Sequence, residues 1–400
     1  MNILFLSELF YPRKGGAELA TYLYAKLLVE AGFDISVVTN KFAGESSFSK
    51  EGNMKVYRWP LFNNAYSKYS ILGRVDVLAS NFVRRMMKWA NLIYVPRFWY
   101  SAILLAKAYK KPVITHLHDY IPVCPLSNLY EEHKGTFCSN SNNLLCPPRC
   151  IYVHERKTRS LAGSLISVVL NATVGHNLGK LIALSDAIIC VSKAHKKLII
   201  ERAPHLSRNI HVIYNPLPEL SYTKIHGDDF GYFGGPSCLK GFNILCDALV
   251  HTKNQRIRVH GTNFSNNTRL LFDSSGPEFL LYKRLDEIAF ENMWKRIRAV
   301  VVPSVWHEPL PYVVTEAVLR GRIVLASNAG GIPEQVEGCK GALLCEIGNH
   351  KQFAEELNFV RGLSKENAAE FGLRNRETFL KRFNNKNTLR EFIRLCENLH

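Results

Sequence analysis

Two glutamates eight positions apart are the residues of this chain whose type and spacing best suit chemistry. Two prolines and the start of an apolar segment lie between Glu308 and Glu316. Residues 299–303 before them are short, apolar and β-branched, which predicts a buried strand. Pro311 suits the first turn of a helix, and residues 312–320 continue as a short amphipathic one. The sequence therefore predicts a strand, a loop with one glutamate and a helix with the other.

This arrangement directs the helix N-terminus toward the crevice beyond the strand ends, where open α/β sheets bind ligands. Backbone N–H groups at such a terminus suit a phosphate. Glu316 can then accept hydrogen bonds from ribose-like hydroxyls, while Glu308 can face the group attached to the phosphate. The alternative is two solvated surface glutamates, because a motif match alone is weak.

A glycine pair and a histidine-containing strand end supply further candidates in the first half of the chain. Gly15 and Gly16 lie between the first predicted strand and helix, where an ordinary tight turn is the alternative to a ligand contact. Alternation along a strand places His116 and His118 on one side of it, with Asp119 next in sequence. These polar groups fall at the carboxyl edge of the predicted sheet, so they can meet a ligand there.

Four of the ten cysteines fall within one polar segment: Cys124, Cys138, Cys146 and Cys150. A polar segment is unsuited to a buried core. A structural zinc site, disulfides and unlinked thiols are the three alternatives, although only the last pair has close metal-like spacing.

The run from Glu308 to Glu316 resembles the Glu-x7-Glu signature of the family-four retaining glycosyltransferases, which have the GT-B fold. The surrounding residues 303–309 and 329–334 are similar to that family too. The resemblance implies an α/β protein with two Rossmann-like, doubly wound domains that face each other across a cleft. It also implies a nucleotide-sugar donor, with no metal required for catalysis.

The same resemblance assigns roles to individual residues. It implies that Glu308 orients the donor sugar and that His118, with Asp119 beside it, contacts that sugar. For the donor phosphates it implies contacts from one loop, one cation and the start of one helix, namely Gly15, Gly16, Lys240, Leu310, Pro311 and Tyr312. The family has an arginine where this chain has Gly235, and an arginine grips phosphate in a way that lysine does not copy.

The length of 400 residues and the repeated β-α alternation suggest two domains. We predict an acceptor-binding domain over 1–215, a linker over 216–228 and a nucleotide-sugar domain over 229–375. Relatives of this kind imply that a C-terminal helix over 376–400 crosses back to the first domain.

Positive charge is concentrated in the first half of the chain. Residues 1–220 contain 27 Lys and Arg against 14 Asp and Glu, which is +13 of the net +17. Such a half can attract an anionic membrane or acceptor. The segment 82–89, with Arg84, Arg85 and Lys88, is our membrane-surface candidate, and the apolar stretch 161–184 is interpreted as core.

We therefore expect a retaining glycosyltransferase that moves a sugar to a glycan or lipid-linked hydroxyl acceptor. The chain starts as a strand without the features of a signal peptide, so we expect a cytoplasmic protein, at the inner face of the membrane. No nucleic-acid motif is evident. The alternatives are a nucleotide-sugar epimerase of GT-B shape, favoured by the fold alone, and a catalytically inactive binding protein, favoured by Gly235.

Overall fold

The computed structural model describes residues 1–13, 15–59, 80–139, 146–157, 159–175, 177–252, 256–273 and 276–399. The chain divides into two compact units. Met1–Pro216 and Asn385–His400 form the first unit, and Leu217–Asn384 forms the second. Each unit has a mostly parallel sheet of its own, so the predicted α/β class with two Rossmann-like domains is confirmed.

The sheet of the first unit is parallel except at one edge. Its strands are β1 (Asn2–Leu6), β2 (Asp34–Asn40), β3 (Phe48–Glu51), β4 (Met54–Trp59), β5 (Leu92–Val95), β6 (Val113–Leu117), β9 (Ala187–Cys190) and β10 (Ile210–Val212). Their order is β10-β9-β6-β5-β1-β2-β4-β3, and β3 pairs antiparallel with β4. A separate antiparallel pair is formed by β7 (Tyr130–Glu131) and β8 (Thr136–Phe137).

The helices that follow these strands in the first unit are α1 (Gly16–Glu30), α2 (Asn81–Trp89), α3 (Ala102–Ala108), α4 (Tyr152–Arg156), α5 (Leu161–Leu170), α6 (Leu178–Ile182) and α7 (Lys193–Arg202). Short π-helical turns cover Pro147–Ile151 and Asn171–Gly175, and a 3-10 turn covers Pro204–Asn209. Every residue of β5 and β6 is buried, as expected of parallel strands covered on both faces.

The second unit repeats this plan. Its strands are β11 (Asp229–Tyr232), β12 (Arg258–Thr262), β13 (Thr268–Leu271), β14 (Glu278–Tyr282), β15 (Ile297–Val302), β16 (Ile323–Ser327) and β17 (Ala342–Cys345). They lie in the order β13-β14-β12-β11-β15-β16-β17, with only the β13–β14 pair antiparallel among the described strands. Its helices are α8 (Phe242–His251), α9 (Glu287–Arg296), α10 (Tyr312–Leu319), α11 (Ile332–Val336), α12 (His350–Gly362) and α13 (Lys365–Arg382).

The C-terminal region, predicted to hold one helix over 376–400, contains parts of two helices. Helix α13 spans the boundary predicted at 375/376, and the division between the units falls after Asn384. Helix α14 (Asn385–Glu397) packs in the first unit, where the ring of Phe392 lies 5.1 Å from that of Tyr24 and 5.6 Å from that of Tyr94.

Each sheet has a point where the chain reverses its direction of winding. In the first sheet β1 and β5 are neighbours, but the strands that follow each of them run toward opposite edges. In the second sheet β11 and β15 form the same kind of pair. Because the connecting loops separate at such a switch point, a crevice opens beyond the carboxyl ends of the strands. The residues after β1, β5, β11 and β15 are thus the ones that the fold places to meet a ligand.

Candidate active site

Glu308 lies in the loop after β15 and is almost completely buried, with 3% of its side chain exposed. One carboxylate oxygen, Oε1, accepts hydrogen bonds from Lys240 Nζ at 2.7 Å and from Ser304 Oγ at 2.7 Å. Trp306 Nε1 donates to the same oxygen at 2.9 Å. Three donors on one oxygen fix the carboxylate in place, and none of these bonds uses Oε2.

Backbone hydrogen bonds tie the loop with Glu308 to two neighbouring loops of the second unit. The N–H of Val305 donates to the carbonyl of Leu239 at 2.9 Å, which joins it to the loop after β11. The N–H of Gly331 donates to the carbonyl of Glu308 at 2.7 Å, just before α11. Since β11 and β15 are the two strands at the switch point of the second sheet, these bonds bring Glu308 and Lys240 together beyond the carboxyl ends of those strands.

Lys240 is the cation of this group. Its side chain is 38% exposed, and Nζ lies 4.9 Å from the centre of the Trp306 ring. A lysine over an aromatic face gains a further electrostatic attraction. Lys240 is therefore positioned by a carboxylate and a ring while its ammonium still reaches solvent, which suits it to a phosphate. Sequence reasoning identified Lys240 and Glu308. It missed Ser304 and Trp306, although these two residues lie in the segment 303–309 that carries part of the resemblance.

The start of α10 presents backbone more than side chains. Leu310 and Tyr312 are 9% and 8% exposed, and Pro311 is the N-cap without a side-chain cap. Glu316 is half-buried further along this helix. Helix α10 is held by Gln335, whose Nε2 donates to the carbonyl of Pro311 at 3.2 Å. The main chain of Leu310 and Tyr312, at the N-terminus of this helix, is the part suited to an anion.

Gly235 adopts a conformation that an arginine would not adopt readily. Its φ is +61°, and a Cβ added there would lie 2.9 Å from the carbonyl oxygen of Asn263. A left-handed backbone is strained for any L residue other than glycine. The local backbone thus disfavours an arginine at the position where the resemblance led us to expect one, and Lys240 is the cation of the loop 234–241.

In the first unit, Arg97 forms ion pairs with two glutamates at the switch point between β1 and β5. Its guanidinium donates to Glu18 at the start of α1 and lies 3.4 Å from Glu8, which follows β1. Burial alone would lower the pKa of Arg97, but Glu8, Glu18 and Asp119 raise it. Sequence reasoning did not single out Arg97 or Glu8. Their positions just after two buried strands were the available signal.

Glu18 also covers the glycine loop. The loop ends at Gly15, the N-cap of α1, where an added Cβ would lie 2.0 Å from Glu18 Oε2. A carboxylate at a helix N-terminus is favourable. The Glu18 carboxylate occupies the end of α1 at which the resemblance implies a donor phosphate, beside Gly15 and Gly16, so that role remains a prediction.

His116, in β6, and His118, just after the end of this strand, have stacked rings with centres 4.3 Å apart. His116 Nδ1 lies 2.6 Å from Tyr94 Oη, and its side chain is fully buried. Burial lowers the pKa of His118, and the nearby Arg97 and His195 lower it further, to about 3. His118 is thus a neutral imidazole whose Nε2 is buried without a hydrogen-bond partner among the described residues.

Asp119 shapes the turn after β6. Its carboxylate accepts from the N–H of Ile121 at 2.9 Å, and its carbonyl oxygen lies 2.9 Å from His195 Nε2. Burial lowers the pKa of His195 to about 4, so the ring is neutral and donates this bond. Asp119 therefore holds the backbone next to His118, which is a positioning role that the sequence did not predict.

Among the described residues, the four clustered cysteines form no disulfide bond. Burial first, and then the neighbouring Cys146, Cys124 and Cys138, raise the pKa of Cys150 to about 12. The four side chains therefore share one neighbourhood. In the described part of the chain no set of three or more His, Cys, Asp or Glu is arranged to hold a metal ion. The unlinked-thiol alternative fits the structure, and neither zinc nor a disulfide gains support.

The structure bears on two predictions about apolar segments, the membrane-surface candidate 82–89 and the stretch 161–184 interpreted as core. Helix α2 turns Val83 and Met87 inward and leaves Arg84, Arg85 and Lys88 exposed. The stretch 161–184 is not simply core, because α5 exposes most of its large apolar side chains. No helix within the described ranges combines the length and the apolar character needed to cross a membrane.

Known proteins resemble this chain in sequence. The profile of Glycosyltransferase Family 4 matches residues 14–218, more than half of the chain, and that of Glycosyl transferases group 1 matches residues 240–378. An "Uncharacterized 42.6 kDa protein in cps region" of Klebsiella pneumoniae is 26% identical over 345 residues, which cover 84% of this chain and 87% of that protein.

Solved structures resemble it in fold. Sucrose-phosphate synthase from Thermosynechococcus elongatus has a TM-score of 0.70 at 13% identity, covering 100% of this chain and 99% of its own. HepE from Anabaena, in complex with UDP and glucose, has a TM-score of 0.62 at 18% identity and covers 99% of each chain. These likenesses show that the chain has the GT-B fold of glycosyltransferases, and the profile over residues 14–218 shows that it belongs to Glycosyltransferase Family 4.

Proposed function

We propose that this protein is a retaining glycosyltransferase that moves a sugar from a nucleotide-sugar donor to the hydroxyl of a glycan or lipid-linked acceptor. The observation that carries the proposal is the Glu308–Lys240 pair, held by Ser304 and Trp306 at the switch point of the second sheet. A carboxylate and a cation 2.7 Å apart match a ligand that joins sugar hydroxyls to a phosphate. A crystal structure of HepE in complex with UDP-glucose supports a donor of this class.

The second unit supplies the groups for the donor. We assign Lys240 and the main chain at the start of α10 to the diphosphate, because both place positive charge where negative charge develops. We assign Glu316 to the ribose hydroxyls. Glu308 orients the sugar and stabilises positive charge at its anomeric carbon. Glu308 forms no covalent bond in this scheme.

The chemistry needs no oxidant or reductant. The bond between the anomeric carbon and the diphosphate oxygen breaks, and a bond forms between that carbon and the acceptor oxygen. The acceptor proton passes to the departing phosphate oxygen. Since attack occurs on the face from which the phosphate leaves, the anomeric configuration is kept.

The first unit contributes His118 and the basic surface. A neutral His118, with Nε2 unpartnered among the described residues, suits a hydrogen bond to a sugar hydroxyl. We assign Asp119 to the support of its backbone. The positive charge of the first half fits an anionic or lipid-linked acceptor at the inner face of a membrane.

The test starts with a thermal-shift screen against UDP-, GDP- and ADP-sugars, since a donor that binds the folded state raises Tm by mass action. The stabilising donor is then incubated with and without acceptor candidates. Transfer that depends on an acceptor supports the proposal. Conversion of the donor sugar without acceptor identifies an epimerase, and stabilisation without any turnover identifies an inactive binding protein; either outcome overturns it.

A further inference from the structure

Helix α5 exposes its large apolar side chains and buries small polar ones. The side chains of Leu161, Leu165, Ile166 and Val169 are 55%, 50%, 53% and 61% exposed. Its buried side chains are serines instead, Ser164 and Ser167. An amphipathic helix normally directs its apolar stripe to the core and its polar residues to water. Here the arrangement is reversed.

The inward serines show that this orientation is built into the local structure. Ser160 caps α5, since its Oγ accepts from the N–H of Gly163 at 3.2 Å. Ser164 Oγ donates back to the carbonyl of Ser160 at 2.9 Å. Small polar residues therefore pack against the unit, and the large apolar residues face outward together. A contiguous apolar face of this kind marks a binding surface.

The surroundings of this face are positively charged. Residues 147–184 contain five cations, Arg149, Arg156, Lys157, Arg159 and Lys180, against one carboxylate, Glu155. Glu155 is buried and pairs with Arg159, so it does not offset the outer cations. Arg149, Arg156 and Lys180 are exposed, and the exposed Lys157 pairs with Glu132, which lies outside this range.

This charge selects the occupant. A second copy of the chain would bring the same positive charge to the same apolar face, and like charges repel. An anionic bilayer offers the opposite charge together with hydrocarbon for the leucine, isoleucine and valine side chains. Helix α2 lacks this combination, because its cations are exposed while Val83 and Met87 are buried.

We propose that α5 is a membrane-docking helix that lies flat on an anionic lipid surface. Leu161, Leu165, Ile166 and Val169 insert below the headgroups, and the flanking cations contact lipid phosphates. At ten residues the helix is about 15 Å long, too short to span a bilayer but long enough to lie along its surface. The proposal concerns lipid binding alone and does not depend on the donor or the reaction.

Vesicle co-sedimentation tests it with the full chain. The triple variant L165Q/I166Q/V169Q removes the apolar face and keeps good helix formers. The matched control L271Q/I288Q/F359Q removes three apolar side chains that are 58%, 76% and 51% exposed in the second unit. With phosphatidylglycerol-containing vesicles we expect the α5 variant to lose about tenfold or more in partitioning, and the control to bind like the wild type. Circular dichroism and Tm of both variants should match the wild type, because every substituted side chain is exposed.

Further arms separate charge from apolar contact and lipid from self-association. Pure phosphatidylcholine vesicles should bind the wild type more weakly than anionic ones. Equal vesicle binding by the wild type and the α5 variant would overturn the proposal. It would also fail if the wild type ignored vesicles but formed a dimer by light scattering that the α5 variant converts to monomer, since α5 would then be a surface between copies of the chain.

Discussion

At the scale of single residues, one carboxylate oxygen organises the candidate site. Glu308 Oε1 takes three donors from residues that lie up to 68 positions away in sequence. The Glu-x7-Glu run was enough to predict Glu308, and the resemblance was enough for Lys240. The bond between them required the tertiary structure, because loops after β11 and β15 meet only at the switch point.

Replacing Glu308 with glutamine should reduce turnover and leave nucleotide binding largely intact. The amide oxygen can still accept from Ser304 and Trp306, so the loop should keep its shape, but the negative charge beside the sugar is lost. We expect kcat to fall by about 100-fold or more, with a change in donor KM of less than about threefold. Steady-state kinetics with the donor found in the screen measures both. A matching loss of Tm in E308Q would assign Glu308 to stability instead.

Replacing Lys240 with methionine should have the opposite pattern. Methionine keeps an unbranched side chain of similar length, while the ammonium is lost from the phosphate side. We expect donor affinity to fall by about tenfold or more. Isothermal titration with the donor measures this. S304A, which removes one donor to Glu308 and no cation, serves as the control, and equal losses in the two variants would refute a phosphate role for Lys240.

Restoring the family arginine at Gly235 should not improve the enzyme. The positive φ and the nearby Asn263 carbonyl predict a loss of about 1–3 kcal/mol in the free energy of unfolding for G235R. Gly348 has a φ of +79° but no atom within 4 Å of an added Cβ, so G348R isolates the backbone strain. Urea denaturation compares them. If G235R were as stable as the wild type, the structural reason for the missing arginine would be wrong.

At the scale of elements, strand ends and turns carry the function. The alternation of apolar strands and amphipathic helices was readable in sequence, because the central parallel strands, such as β5, β6 and β15, are buried on both faces. The Arg97–Glu8–Glu18 group was not, since its members belong to three elements. Helix α5 misled the sequence reading for a physical reason. An apolar stretch has the same composition whether it faces a core or another partner.

The turn after β6 separates a positioning residue from a binding one. D119A removes the acceptor for the N–H of Ile121, and we expect it to lower the free energy of unfolding by about 0.5–2 kcal/mol. D119N retains an acceptor and should recover most of that loss. H118A keeps the acceptor for Ile121 and should reduce turnover. Denaturation and kinetics on the three variants decide this, and a stable but inactive D119A would make Asp119 a catalytic residue.

At the scale of the whole molecule, stability depends on buried neutral histidines. Burial lowers the pKa of His116, His118 and His195 below the unfolded value near 6.5, to about 3 for His118 and about 4 for His195. The unfolded chain therefore binds protons first as the pH falls. The contribution of these histidines to the free energy of unfolding is fully present above about pH 6.5. Below that pH the contribution is lost progressively, by about 1.4 kcal/mol per pH unit for each histidine.

H195Q should flatten this dependence. Glutamine can still donate to the carbonyl of Asp119, but it takes up no proton. Between about pH 6 and pH 5 we expect the slope of unfolding free energy against pH to fall by about 1.4 kcal/mol per pH unit relative to the wild type. Urea denaturation across this range measures it. Parallel slopes would show that His195 is not a buried neutral group.

The most direct measurement is a crystal structure with the sugar nucleotide that gives the largest thermal shift. The account predicts a diphosphate within hydrogen-bond distance of Lys240 Nζ, the sugar against Glu308, and the ribose against Glu316. A bound donor that contacts none of these three side chains would contradict it.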